Sequence, residues 1–429
     1  MERRSEQSDF INQQGDLKNL RCAIVTTRFI EGDMRGGEEA IRILVNNITE
    51  KHYVHLITSD MAQESYNPSF FSKAKPPLSN VVNEHLQITY LKNHYFAQRI
   101  FQVLDRTFYY TGLTRTKISE MVNTLAWGPL IPASYKIIAN GDYDVVYSSI
   151  FPTTSSVLSF KAAMDSGIPF VFTPYYHFLI PKFRNSYLLR HMVRNSSATI
   201  ACSELEREEL VKLGSNESNT FVVPLSLDLS VIPKDIPSQE FLKERMKLKG
   251  YFVILTHPWV SKGGVKILRA ASMLFKKGLN IAVVTIGKPE KNYLDQEHII
   301  QLETPPLKII DLGWVEGRIK WEIFSMCDIF ALISDSDAFG LSYLDAMACK
   351  KPILGASGTP ACEIIEDGVN GILVNPEDLE EIVLGLTRLV SVDRTILGKN
   401  GYSKLTTKYD PKKMTEAYIN IFESVSHKN

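Results

Sequence analysis

IFALISDSDAFGLSYLDAMACKKPILGAS (residues 329–357) reads as a strand, a loop, a helix and a second strand. Ile329–Ser334 is an almost unbroken apolar run of strand-forming residues. After the polar Asp335-Ser336-Asp337 comes YLDAMACK, a run of helix formers closed off before Pro352, and then PILGAS. A strand with no polar alternation is covered on both faces, and two such strands joined through a helix lie parallel. In open sheets of this kind the ligand sits beyond the carboxyl ends of the strands. Chemistry is therefore sought in the loop Asp335–Ser342. Gly340 gives its backbone N–H groups close access to a ligand. Asp337 sits at the strand–helix junction, where helix capping alone would account for it. Asp345 does not fit that explanation, because Leu344, Ala346 and Met347 place it on or beside a buried face. The paired hydroxyls of a ribose are a natural partner for such a carboxylate.

The same grammar extends in both directions. Apolar runs at 22–27, 53–59, 86–91, 145–149, 170–174, 198–203 and 220–224 alternate with helical patterns. After the polar, proline-bearing segment Asp228–Lys249 the runs resume at 252–257, 280–287, 309–314, 329–334, 352–357 and 371–374. Two series separated by a hinge-like segment predict an α/β protein of two doubly wound domains. The boundaries expected are 1–228 for the first domain, 229–250 for the linker and 251–408 for the second. The helical tail 409–429 completes the chain.

Two further strand-to-helix turns carry glycine pairs, Gly36-Gly37 in the first domain and Gly263-Gly264 after Lys262 in the second. Neither is a dinucleotide fingerprint, so a nicotinamide or flavin oxidoreductase is disfavoured. A lysine beside exposed N–H groups suits a phosphate.

The totals exclude other classes. Among 429 residues, 48 basic side chains balance 48 acidic ones, so nucleic acid is not expected as a partner. Five scattered cysteines form no metal-ligand pattern and no disulfide framework. The polar N-terminal stretch is unlike a signal peptide and no apolar run is long enough to span a bilayer. The expectation is a reducing compartment, the cytoplasm.

At this point the pattern resembles a known family. Asp337, Phe339-Gly340, Asp345, Ala346-Met347-Ala348, Pro352, Glu363-Ile364-Ile365 and Asp367–Gly371 follow, in order, the signature of retaining glycosyltransferases of family four. Gly36-Gly37-Glu38, Ile168–Val171, Ser203-Glu204, Val223-Pro224, Lys262-Gly263 and Cys327–Phe330 agree in the same order. The likeness covers roughly residues 20 to 425. It implies the GT-B fold, in which two Rossmann-like domains face a cleft and a C-terminal helix crosses back onto the first.

By the same resemblance, Asp345 would bind the ribose of a nucleotide-sugar donor. Asp337 and the backbone of Phe339, Gly340 and Leu341 would hold the transferred sugar and the diphosphate. Lys262 would neutralise the leaving group, and Gly36 and Gly37 would approach it across the cleft. His177 would lie near the transferred sugar. No metal and no cofactor are implied, and the DxD reading of Asp335-x-Asp337 is set aside. The acceptor would be a glycan or a lipid-linked sugar held by the first domain.

Three departures bear on activity. Both family glutamates are aspartates here, each one methylene shorter. The arginine expected five residues before Lys262 is His257. Histidine is only partly protonated near neutrality, so the leaving group would be less well neutralised and His257 would add charge only where protonated. The alternative reading is a weakened or inactive homologue that binds nucleotide or serves as a scaffold. Finally, residues 89–117 interleave Lys92, Arg99, Arg106, Arg115 and Lys117 with aromatics, and Lys182, Arg184, Arg190 and Arg194 form a second basic patch. Two readings stay open: a surface that lies on a membrane, or helices with core aromatics and solvated charges.

Overall fold

The computed structural model describes residues 19–29, 36–60, 81–114, 116–177, 186–334 and 337–426. Every predicted apolar run in the first half forms a strand: β1 (Arg21–Val25), β2 (Tyr53–Ser59), β4 (Leu86–Leu91), β5 (Val145–Ser149), β6 (Phe170–Thr173), β7 (Ala198–Ala201) and β8 (Thr220–Val222). A short β3 (Val81–Asn83), which no apolar run announces, pairs antiparallel with β4 at the sheet edge. The sheet order is β3-β4-β2-β1-β5-β6-β7-β8, with the other pairings parallel. The second half builds β9 (Phe252–Thr256), β10 (Ile281–Thr285), β11 (Lys308–Asp311), β12 (Ile329–Leu332), β13 (Ile353–Ala356) and β14 (Gly371–Val374). These form a six-stranded parallel sheet in the order β11-β10-β9-β12-β13-β14.

Burial on both faces explains the unbroken apolar runs, because successive side chains alternate between two cores. In β1, Cys22 and Ile24 join one cluster while Ala23 and Val25 join the other. In β9, Val253 and Leu255 face one side, and Ile254 the opposite one. The first of these second-domain clusters also takes in Ala40, Cys202, Leu225 and Leu227, so apolar packing runs continuously between the halves.

The segment 229–250 is more structured than a plain linker, since Gln239–Arg245 is helical and Leu242 is buried. The closing helix Pro411–Ser426 packs on the first sheet: Met414, Tyr418 and Phe422 share a core with Ile24, Val45 and Tyr147. The Tyr147 hydroxyl donates to that of Tyr418 at 3.3 Å, an edge-on pair of rings 5.4 Å apart.

All five cysteines are free thiols, with Cys22, Cys202 and Cys327 buried. Among the described residues no helix is long and apolar enough to cross a membrane.

Both sheets change direction of winding at one point, between β1 and β5 in the first and between β9 and β12 in the second. Helices leave to opposite faces there and open a crevice at the strand ends. The loops leaving β9 and β12 are those that contain Lys262 and Asp337.

Candidate functional site

Gly263 fixes the loop after β9. Its φ is +76°, and a Cβ there would sit 2.7 Å from the carbonyl oxygen of Ile333, at the end of β12. Only glycine allows the two loops to approach so closely. Lys262, next to it, forms an ion pair with Asp337 across the crevice, and both side chains are mostly buried. The other Asp337 carboxylate oxygen is buried and takes no hydrogen bond from a described residue. Asp337 does not cap the helix Leu341–Ala348, as capping preference alone would have it. Gly340, at φ +96°, occupies that position, and no side chain supplies the cap. The Tyr343 N–H donates to the Gly340 carbonyl at 3.0 Å, so the N–H groups of Leu341 and Ser342, which no side chain caps, remain for a ligand. Tyr343 secures the helix by donating its hydroxyl to the Leu332 carbonyl at 2.6 Å. Phe339 is a core residue, packed edge-on against Tyr409 at 5.9 Å, so what it offers a ligand is its backbone. Asp335 and Ser336 lie outside the described residues, and so does the DxD reading.

His257, at the end of β9, stacks near Trp259 with ring centroids 5.9 Å apart. Its Nδ1–H donates to the Ile286 carbonyl at 3.0 Å, and its Nε2 accepts from the Ser342 hydroxyl at 3.0 Å. Burial lowers its pKa to about 4, and the charges of Lys262 and Lys320 push in the same direction against the Ile286 hydrogen bond. The imidazole is thus neutral at pH 7. The expectation that it adds positive charge is corrected, because desolvation outweighs any benefit of protonation.

Asp345 is buried within the 341–348 helix, as its apolar neighbours predicted. Its partner is Lys320, whose Nζ donates to Oδ1 at 2.7 Å from the helix Gly317–Met326. Desolvation raises the Asp345 pKa, Lys320 opposes that, and Glu39 of the first domain adds to it.

The first domain meets this face through the start of the helix Gly36–Ile48. A Cβ on Gly36 would lie 3.5 Å from Leu341 Cδ1, and one on Gly37 would lie 2.7 Å from the Tyr175 ring. The helix is anchored by a buried ion pair invisible to spacing. Arg28 Nε and Nη2 donate to Glu38 Oε2 at 2.9 and 2.8 Å, and the Thr27 hydroxyl donates to Oε1 at 2.5 Å. Tyr175 carries a strained positive φ of +49° and a buried hydroxyl with no hydrogen-bond partner among the described residues. His177 follows it, half-buried, on the loop leaving β6. The adjoining Tyr176 N–H donates to Glu206 Oε1 at 2.6 Å, and burial raises the Glu206 pKa to about 7.

Two motifs far apart in the chain also meet. Glu363 Oε2 accepts from Glu204 N at 3.0 Å and Oε1 from Leu205 N at 3.2 Å, so a second-domain carboxylate caps the first-domain helix Glu204–Leu213. Of these residues, Arg28, Lys320, Ser342 and Glu206 had not been singled out from the sequence.

The chain matches two family models: Glycosyltransferase Family 4 over residues 34–231 and Glycosyl transferases group 1 over residues 243–404. A probable sucrose-phosphate synthase of Thermosipho melanesiensis is 31% identical over 54% of this chain and 55% of its own. An uncharacterized glycosyltransferase of Methanocaldococcus jannaschii is 27% identical over 54% of this chain and 59% of its own. Such alignments span little more than half of those curated relatives. Among solved structures, Anabaena HepE in complex with UDP and glucose superposes with a TM-score of 0.70 at 17% identity, covering 95% of this chain and 100% of that one.

A lowered histidine pKa makes stability depend on pH. Between about 4 and the ordinary value near 6.5 the unfolded state binds a proton that the folded state refuses, so stability is lost as pH falls through that window. His257→Asn should flatten the curve there, by up to about 1.4 kcal/mol per pH unit. Urea unfolding of both proteins from pH 4 to 7 checks it. Parallel curves would mean that His257 titrates normally in the folded protein.

Proposed function

We propose that this chain, which belongs to the two-domain glycosyltransferases of family four and group 1, moves a sugar from a nucleoside diphosphate to an acceptor hydroxyl with retention of anomeric configuration. The observation that carries the reading is the convergence of Lys262, Asp337, His257 and Asp345 at the ends of β9 and β12, the point where a doubly wound sheet takes a nucleotide. Asp345 would accept from the ribose hydroxyls. The N–H groups of the 341–348 helix would hold the diphosphate, and the open oxygen of Asp337 would accept from the transferred sugar. Gly36 and Gly37 would let the first domain close on the diphosphate without a side chain in between. His177 would face the sugar from the first domain.

As the bond between the anomeric carbon and the diphosphate breaks, negative charge grows on the leaving oxygen. Lys262 would turn from Asp337 to meet it, and this cation would be the main electrostatic contribution to rate. The acceptor oxygen takes the anomeric carbon on the vacated face, and its proton leaves with the nucleoside diphosphate. His257 contributes position through Ser342 and no charge. The reaction as drawn uses no metal and no cofactor. One observation favours the alternative of a nucleotide-binding scaffold: neutral His257 leaves Lys262 to carry the leaving-group charge while it is already paired.

The acceptor side reads as a surface for a glycan or a lipid-linked sugar, at the cytoplasmic face of a membrane. The helix Tyr95–Tyr110 has Gln98 as its buried residue, while Phe96, Ile100, Val103, Leu104 and Tyr110 are exposed along one face. These side chains stand outside the core clusters, which supports the surface reading of this helix over that of core aromatics. Leu113, Ile118 and Met121 continue the exposed apolar surface onto the helix Lys117–Trp127. Lys117 lies over the Tyr187 ring at 3.9 Å. An apolar stripe with basic residues beside it suits an anionic bilayer surface. Arg115, Lys182 and Arg184 lie outside the described residues.

Turnover separates enzyme from scaffold. With UDP-glucose, GDP-mannose and ADP-glucose as donors and simple sugars as acceptors, one donor should release its nucleoside diphosphate. That rate should survive EDTA and fall at least a hundredfold in Lys262→Met, the scale of one lost charge-stabilising donor. Nucleotide binding without turnover of any donor would support the scaffold instead. For the surface, flotation with phosphatidylglycerol vesicles at low salt should carry the protein, and Ile100→Glu with Val103→Glu should abolish it. A protein that stays unbound at low salt has no such contact.

A further inference from the structure

Asp345 is an unusual place to keep a charge. It is 7% exposed in a helix whose flanking residues Leu344 and Ala346 are fully buried. Desolvation alone favours the neutral acid in such a position. A neutral carboxyl keeps one oxygen protonated and is a poorer acceptor for two hydroxyls than a carboxylate. The groups around it make the matter worse or leave it unchanged. Glu39, on the first turn of the facing 36–48 helix and itself bound to Arg42, adds negative charge. Cys349, one turn further along, is uncharged, since burial lifts its thiol to about 11. His257, which binds Ser342 on the same helix, is neutral. Positive charge reaches Asp345 from Lys320.

The Lys320 geometry is that of a support. It comes from a different helix, 25 residues earlier in the chain, and places Nζ 2.7 Å from Oδ1. The ammonium lies 4.6 Å from the centre of the Trp321 ring, which limits where it can go. Its side chain is 30% exposed, so it reaches the crevice without being sealed in it. Oδ2 receives no hydrogen bond from a described side chain, so the carboxylate keeps one oxygen for a ligand.

We propose that Lys320 is a positioning residue of the donor site: its ammonium holds the Asp345 carboxylate ionised and oriented as the acceptor for a nucleotide's ribose hydroxyls. The proposal rests on the donor-site reading given above and adds to it the group on which ribose recognition depends. Lys320 acts through Asp345 and touches no reacting atom. Its removal should weaken recognition of the 2′-hydroxyl specifically, and more at low pH than at high pH, because rising pH favours the carboxylate that Lys320 otherwise secures. The neighbouring His257 gains a proton more readily when Lys320 is gone, which would strengthen diphosphate binding at low pH and so cannot mimic this loss.

The test is calorimetric titration of the full chain with UDP, ADP, GDP and CDP and with their 2′-deoxy counterparts, at pH 6 and pH 8. For the nucleotide that binds, the wild type should prefer the ribose form by about tenfold, the scale of one hydrogen bond to a charged acceptor. Lys320→Met should lose most of that preference at pH 6 and recover part of it at pH 8, while Lys320→Arg should keep it at both. A Lys320→Met protein with the wild-type preference at both pH values overturns the proposal. An equal loss for ribose and deoxyribose forms also overturns it, because Lys320 would then be a phosphate contact. If no nucleotide binds the wild type, the donor-site reading itself falls and takes this proposal with it. Melting of the ligand-free variants shows which are folded, and Lys320→Gln, which keeps a polar chain without the charge, carries the test with the same expected and overturning results should Lys320→Met not fold.

Discussion

The ion pair of Lys262 with Asp337 spans the place where the second sheet reverses its winding, and much of the site depends on that closeness. The two residues stand on loops from β9 and β12, adjacent strands far apart in sequence. The loops can meet because Gly263 has no side chain to strike the Ile333 carbonyl. A lysine held against an aspartate in a nearly dry crevice is costly unless a ligand rearranges it or the geometry is good. Here a second aspartate oxygen takes no hydrogen bond from a described residue, which suits an arrangement completed by a ligand.

Among the described residues the charges of the site are paired before any ligand arrives. Lys262 is matched by Asp337 and Lys320 by Asp345, while His257 contributes nothing at pH 7. A diphosphate therefore finds its cation by exchange, with Lys262 leaving one partner for another. The N–H groups at the start of the 341–348 helix require no such exchange. From the other side, Arg28 and Glu38 lock the glycine turn that meets Leu341, and Glu363 joins the halves at the helix Glu204–Leu213. The two domains are thus tied by backbone-to-carboxylate contacts at Glu363 and approach each other at the cleft through Gly36.

The sequence was most legible where burial is two-sided. Runs such as Ile281–Thr285 have no other stable home than a covered parallel strand, so their order gave both sheets. The loops that line the crevice followed, because ligands sit beyond the carboxyl ends of such strands, whereas the strand order that sets the switch points came with the fold. Asp345 was legible from its apolar neighbours. The capping role weighed for Asp337 failed because its carboxylate pairs with Lys262 and Gly340, with no side chain, holds the N-cap position. His257 was misread as a charge because a residue type carries no information about its own desolvation. Lys320 was not legible at all, since no local spacing links a residue to a partner 25 positions away. The apolar face of Tyr95–Tyr110 was visible as a pattern, but only the fold shows that it is exposed rather than packed in a core.

The claim that the β9–β12 crevice holds a nucleotide through Asp345 is tested most directly by melting the wild type and Asp345→Ala with UDP, GDP, ADP and CDP. A ligand at a hundredfold excess over its dissociation constant stabilises the folded state by about 2.7 kcal/mol. The account predicts that one of the four raises the wild-type melting temperature and that the variant loses this rise while remaining folded. A rise of equal size in both proteins would place the nucleotide elsewhere and contradict it.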